Sequence, residues 1–421
     1  MTQNYHDDWT LVCHLNYGTE GKLTTVKKTA NGFVATPVES SAANGAEDPA
    51  NVKVFLGVEG DAVLLMDQIS KEVSTSNSLP LDADPSYAYP DYANNRLWFV
   101  NDGDKETGND PVCCDNNGSP VTIVEPGVQP NILSSICVGR GHHVATFIPA
   151  KGERQALAFV SNLLDGSIFV FGNDSAMPET FLKVIGSINL CEADKEKEEG
   201  VSLPNNAFPH GMIYSNVTDR VYNLNNGYGN IAVIDPNTME IEQRISMKKC
   251  SNLLMSPNQR FAIGKGADRK SNPEHVMGRI TVVNLEEAKV IQEIDVQDIY
   301  PTTYRFSPDG NKLYVTTAAT GKGDQKTNLD MNSVLVYDTS NLPNISLIKT
   351  IAAGKADCGR RPLAYTEANG KAQWLFIPNP SDGTLSIIDS ATDEVIDTVT
   401  LGQGNIKEVL FSFWHSAIKG S

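Results

Sequence analysis

The sequence predicts an all-β protein, a seven-bladed β-propeller of four-stranded antiparallel blades, closed into a ring by strands from the N- and C-terminal ends. One order of elements (strand, turn, strand, Gly or polar turn, strand ending in Asp, turn, strand) returns at least six times along the 421 residues. The apolar runs are short and bounded by turn residues, with 33 Gly and 22 Pro in the chain, as a turn-dense β protein requires. Each unit is one small sheet that cannot bury both faces alone, so repetition implies sheets stacked around a common axis.

In chain order, the first clear unit begins at Pro85-Ser86 and runs through NNRLWFVND and SPVTIVEP to ILSSICVG. The next opens at His142-His143 and continues through QALAFVSN and GSIFVFG to Ile188. Residues 209–246 follow as Pro209-His210-Gly211, IYSNVTDRVYNL and GNIAVIDPNTMEIEQRI. The fourth starts at Cys250-Ser251 with LLMSPNQRFAIG and GRITVVNLEEAKVIQEI. The fifth is 301–351, with FSPDGNKLYVTT and SVLVYDTS, and the sixth runs from Gly359-Arg360-Arg361 through AQWLFIPN and GTLSIIDSATDEVIDTVTL.

The seventh unit is split. VKVFLGVEGDAVLLMDQISKEV (52–73) reads as strands two to four, because GDAVLLMD matches GNIAVIDP, and Lys407-Glu408-VLFSF supplies its first strand. Closure of this kind removes an open sheet edge. Residues 1–50 are expected to hold strands of their own (TLVCHLNYG, KLTTVKK, GFVATP), as a capping hairpin or an eighth partial blade, plus a polar linker at 38–49. Residues 51–421 are expected to form the propeller. Segment 191–206 reads as an acidic loop and 320–332 as a mixed-charge loop, and helices should be nearly absent.

Charged residues make up 20% and hydrophobic ones 40% of the chain, ordinary for a globular protein. A net charge of −17 argues against nucleic acid and anionic membranes as partners. No apolar run approaches the roughly 20 residues that span a bilayer. MTQNYHDDWTLVCHL lacks a secretory signal pattern, which predicts a cytoplasmic protein, or a periplasmic one if the sequence is a mature form. The cysteines at 13, 113, 114, 137, 191, 250 and 358 form no zinc-like pair and are expected to be thiols in a reducing compartment, with a disulfide or a thiolate metal site as the alternatives.

SPDGNKLYV, IAVIDPNT and TLSIIDSATDEVIDTV resemble the YVTN-type β-propeller repeat. They are similar also to the propeller of cytochrome cd1 nitrite reductase and its haem d1 relatives. The resemblance covers roughly residues 52–413 and implies the fold; such propellers serve as enzymes, surface modules and binding scaffolds.

In propellers the first strand of each blade lines the axis, so the residue at its start sits at the channel mouth. Aligning the units on that residue gathers Ser86, His143, His210, Ser251, Thr302, Arg361 and Lys407, with His142, Cys250 and Arg360 adjacent. Cations and hydroxyls converging in a narrow channel would favour a small anionic ligand, because a low dielectric strengthens each charge. His142, His143 and His210 are alternatively metal ligands, resembling copper propellers such as nitrous oxide reductase and thiocyanate dehydrogenase. Haem d1 is the other cofactor the resemblance implies, with one axial His and cations for its carboxylates. A scaffold binding a protein partner through its loops is the third reading.

Other residues have structural readings. Asp235, Asp338 and Asp389 end third strands and are expected to accept turn N–H bonds. Trp9, Trp98, Trp374 and Trp414 read as inter-blade packing, His275 as a solvated loop residue and His415 as structural. No P-loop, GxGxxG, GxSxG or HExxH occurs. DGDKETGND (102–110) does not fit an EF-hand loop. The sequons at Asn117, Asn216 and Asn344 matter only in a eukaryotic secreted protein.

Overall fold

Short β-branched and aromatic runs separated by Gly, Asn and Asp turns build the sheets here. The computed structural model describes residues 9–17, 21–38, 53–57, 63–67, 73–75, 85–101, 114, 118–125, 131–321 and 323–415. Seven four-stranded antiparallel sheets are present. The six units read from the sequence are six of them, from Pro85–Asp91 in the first blade to Glu394–Thr400 in the sixth. First strands of successive blades lie against one another, His142–Ile148 beside Pro209–Ser215 and the latter beside Asn252–Met255, so they surround the axis.

The seventh blade closes the ring with strands from both ends of the chain. Glu408–His415 pairs antiparallel with Trp9–Asn16, which pairs with Gly21–Thr29 and then Gly32–Val38. The expectation that 52–73 completes this blade is corrected. Those residues form a separate three-stranded sheet, Lys53–Gly57, Val63–Asp67 and Val73–Thr75, whose first strand lies beside Glu408–His415. The periodic pattern of 52–73 marks strands; it carries no information about which sheet they join. Of the linker expected at 38–49, Val38 ends the strand Gly32–Val38 and residues 39–49 lie outside the described residues.

The core is a series of inter-blade layers. Trp9 of the closing blade meets Trp374 and Phe376 of the sixth at 6.2 and 5.2 Å between ring centroids. Trp98 of the first blade meets Phe171 of the second edge-to-face at 5.4 Å. Such pairs add about 0.5–1.5 kcal/mol beyond area burial. The packing roles of Trp9, Trp98 and Trp374 are as expected; the side chains of Trp414 and His415 lie outside the described residues. Asp235, Asp338 and Asp389 each accept the N–H two residues on, from Asn237, Ser340 and Ala391 at 2.7, 2.9 and 2.7 Å. These are the turn makers the sequence announces.

Among the described residues, helix is confined to the 3-10 turn Ala193–Lys195 and the short helix Asp324–Asn328. The acidic loop is fastened to the ring: Glu192 pairs with Arg244 at 3.3 Å, and Glu196 is hydrogen-bonded to Tyr228 and Asn206. His275 is not simply solvated, since its Nδ1 lies 2.9 Å from the Asp298 carboxylate. The all-thiol reading is corrected by a disulfide joining Cys114 to Cys137 on the outer strand Asn131–Val138. Cys13, Cys191, Cys250 and Cys358 are thiols. No helix among the described residues is long and apolar enough to cross a membrane.

Candidate functional site

The starts of the inner strands are irregular, and the irregularity falls on the residues singled out above. Register shifts between Pro85 and Tyr87, His142 and Ala145, Pro209 and Gly211, and Pro301 and Tyr304 bracket Ser86, His143, His210 and Thr302. A bulge leaves the extra residue out of the ladder and re-aims its side chain. Four first strands thus carry the same distortion at the same axial level. Ser251 and Lys407 stand immediately before their inner strands, Asn252–Met255 and Glu408–His415. The side chains of Ser86, His142 and His143 lie outside the described residues.

His210 and Ser251 meet directly, the imidazole Nδ1 against the Ser251 carbonyl oxygen. A carbonyl accepts only, so Nδ1 carries the proton and Nε2 is the acceptor of the neutral ring. Burial holds the His210 pKa below its ordinary 6.5, with the Lys265 charge lowering it further against the opposing pull of the Ser251 carbonyl. The ring is therefore neutral at physiological pH. Ser251 in turn donates its N–H and hydroxyl to the Lys265 carbonyl at 2.6 and 3.2 Å.

Two other predicted residues are bonded within the ring. Thr302 accepts the Arg361 N–H at 3.2 Å and donates to the Gly359 carbonyl at 3.4 Å, tying the fifth blade to the sixth. Arg361 is fully buried. Its guanidinium donates to the Pro378 and Gly354 carbonyls at 2.9 and 2.8 Å and to the Asn379 side-chain oxygen at 2.6 Å. Burial lowers its pKa to about 10. Arg361 is a strut between strands, while its neighbour Arg360 reaches Glu408 of the closing blade at 3.0 Å. Lys407 is exposed and its N–H holds the Asn16 carbonyl at 2.8 Å.

A cation that the ring of strand-start residues does not include lies beside it. Lys265 lies opposite Asn252 at the start of the fourth inner strand. The matching partners in the first three blades are Asn101, Asn162 and Asn225, and in the fifth Thr317. Asn162 and Asn225 are buried and bond across to Ser167 and Asn230, each at 3.0 Å. A lysine there breaks the repeat, and that substitution was the available signal in FAIGKGA. Gly264 and Gly266 flank it on the other face of the strand. A Cβ on Gly266 would stand 2.6 Å from the Lys249 carbonyl, so the glycines let the 249–250 turn approach.

The Lys265 ammonium sits 5.6 Å from the centre of the Tyr304 ring. Burial pulls its pKa to about 8, and the Arg360 charge pushes in the same direction. Among the described residues it has no carboxylate within ion-pair distance. Residues of the third (His210), fourth (Ser251, Lys265), sixth (Arg360) and closing (Glu408) blades thus share one electrostatic environment. Cys250 lies beside them, its thiol pushed up to about 11 by burial.

No family model matches the sequence, and no curated relative matches it. Solved structures are similar in fold. The periplasmic gluconolactonase PpgL of Pseudomonas aeruginosa superposes with a TM-score of 0.56 at 14% identity, over 96% of this chain and 98% of that one. A protein from Lactobacillus plantarum gives 0.54 at 13%, over 96% and 99%. Hydrazine synthase of Kuenenia stuttgartiensis gives 0.53 at 14%, over 82% and 98%. At such identities the likeness establishes the β-propeller fold alone.

Proposed function

We propose that this propeller binds a small hydroxylated anion at its axial mouth. Lys265 supplies the cation, with the neutral His210 ring beside it. Lys407 and Arg360 stand at the rim; Ser86 and His143, whose side chains lie outside the described residues, are the remaining candidates at bulged strand starts. Ser251 and Thr302 hold the frame, and Arg361 braces it from behind. The supporting observation is Lys265: a largely desolvated ammonium without a carboxylate partner among the described residues. An anion there gains charge-assisted hydrogen bonds where water competes poorly.

Gluconate, a hydroxylated carboxylate, is the probe. Its titration at constant ionic strength should raise the melting temperature of the wild type and leave Lys265→Met unmoved. Failure of gluconate and phosphate alike to stabilise the protein overturns the reading, as does equal stabilisation of Lys265→Met. Loss of a protein partner on loop deletion, with mouth variants silent, would instead support a scaffold.

Copper and haem d1 draw no support from the described residues. Copper needs several imidazoles, and no group of three or more His, Cys, Asp or Glu able to hold a metal occurs among the described residues. His210 lies in the field of Lys265, and the Arg361 guanidinium is bonded to the Pro378 and Gly354 carbonyls. The Cys114–Cys137 bond supports an oxidising compartment, the periplasm, for this chain.

A further inference from the structure

A cleft adjoins the mouth and shares Ser251 and Cys250 with it. The turn entering the fourth blade (248–251) and the loop leaving its second strand (267–271) enclose a cleft of about 710 Å³. That volume is in the range of small-molecule sites, about 300–1,000 Å³, and far larger than a single inorganic ion needs. Its charged walls are Lys248, Lys249, Arg269, Lys270, Arg279 and one carboxylate, Asp268. In a chain of net charge −17, this is a local inversion of sign.

Two of those cations are already neutralised. Arg279 holds Asp295 through two hydrogen bonds at 2.7 and 2.9 Å, and Lys248 holds Glu293 at 2.7 Å. Lys249, Arg269 and Lys270 are exposed and have no ion-pair partner among the described residues. Asp268 does not serve them: its oxygens accept the Lys270 N–H, the Ser271 N–H and the Ser271 hydroxyl at 2.9, 3.0 and 2.6 Å. Arg269 is set over the Tyr300 ring at 5.5 Å.

The wall carrying Arg269 and Lys270 is braced from the next blade. Gln325, buried in the helix Asp324–Asn328, donates to the Arg269 and Asn272 carbonyls at 3.1 and 2.6 Å, and Asn328 donates to the Glu274 carbonyl at 3.0 Å. The cations therefore project from a held loop, which lowers the ordering cost of binding.

We infer that this cleft is a binding site for a compact, multiply charged organic anion such as an organic phosphate or polycarboxylate, held by cations that the axial site does not use. Three unpaired cations call for more than one negative charge. The acidic remainder of the surface disfavours an extended acidic polymer, which would have to lie across it. Compactness satisfies both conditions.

Inorganic pyrophosphate is the probe, titrated calorimetrically into the full chain at fixed ionic strength, with acetate as the monovalent control. Pyrophosphate should bind in preference to acetate, and Lys249→Gln/Lys270→Gln should weaken it about tenfold or more. Arg269→Ala should weaken it as well, with melting temperatures in buffer unchanged because these side chains are exposed. Lys265→Met should leave pyrophosphate affinity intact while abolishing the gluconate response, so the two sites fail separately. Absence of pyrophosphate binding, indifference to the double substitution, loss through Lys265→Met alone, or binding of poly-glutamate in place of pyrophosphate would each overturn the assignment.

Discussion

At Lys265, burial lowers the ammonium pKa from 10.5 to about 8, so the folded chain releases its proton before the unfolded chain does. Between about 8 and 10.5 the unfolded state binds more protons, and stability should rise with pH across that window. Anion binding should run the other way and weaken as pH passes about 8, where the cation is lost. Urea melts and gluconate titrations from pH 6.5 to 10 check both slopes; Lys265→Met should flatten both. At neutral pH that substitution should also stabilise the protein by about 1–3 kcal/mol, because it removes an uncompensated buried charge. Arg361 predicts the opposite. Arg361→Leu strands the Pro378 and Gly354 carbonyls and should cost roughly 3 kcal/mol or more in urea melts. His210 adds an acid limb: its folded pKa lies below 6.5, so its contribution is present above about 6.5 and is lost as pH falls below that value. The adjacent arginines show why the site was only half legible. Sequence register identifies which residues stand at a strand's start, but one-residue differences decide which side chain faces the axis.

The first six blades were readable because each alternates apolar runs with turns whose chemistry is local, as the Asp235, Asp338 and Asp389 turns show. The bulges at Ser86, His143, His210 and Thr302 were not, since a bulge adds a residue without changing the apolar pattern. The disulfide was equally hidden: 23 residues separate Cys114 from Cys137, and nothing in that spacing distinguishes partners from bystanders. Non-reducing peptide mapping should recover a Cys114–Cys137 linked pair, and separate unlinked peptides would refute it. The double substitution Cys114→Ala/Cys137→Ala should lower stability by about 3 kcal/mol, as expected for a loop of this size.

Seven four-stranded blades hold together as a ring only if the last is completed. Trp9–Asn16 joins Glu408–His415 along eight residue pairs, and Trp9 covers the Trp374 and Phe376 face of the sixth blade. Removing residues 1–38 would expose that face and leave Glu408–His415 with an unpaired edge. The truncated chain should lose its single cooperative unfolding transition and associate at micromolar concentration, as followed by calorimetry and light scattering. The sequence announced closure by both ends but misassigned the N-terminal partners, because strand pairing across almost 400 residues leaves no local trace. The ring brings His210, Lys265 and Arg360 together from three blades, and the proposed anion site at the mouth rests on that convergence. A crystal soaked in iodide tests it most directly. Anomalous density is expected on the axis, within contact distance of Lys265 Nζ; iodide confined to the outer surface, with the channel mouth empty of it, would contradict the account.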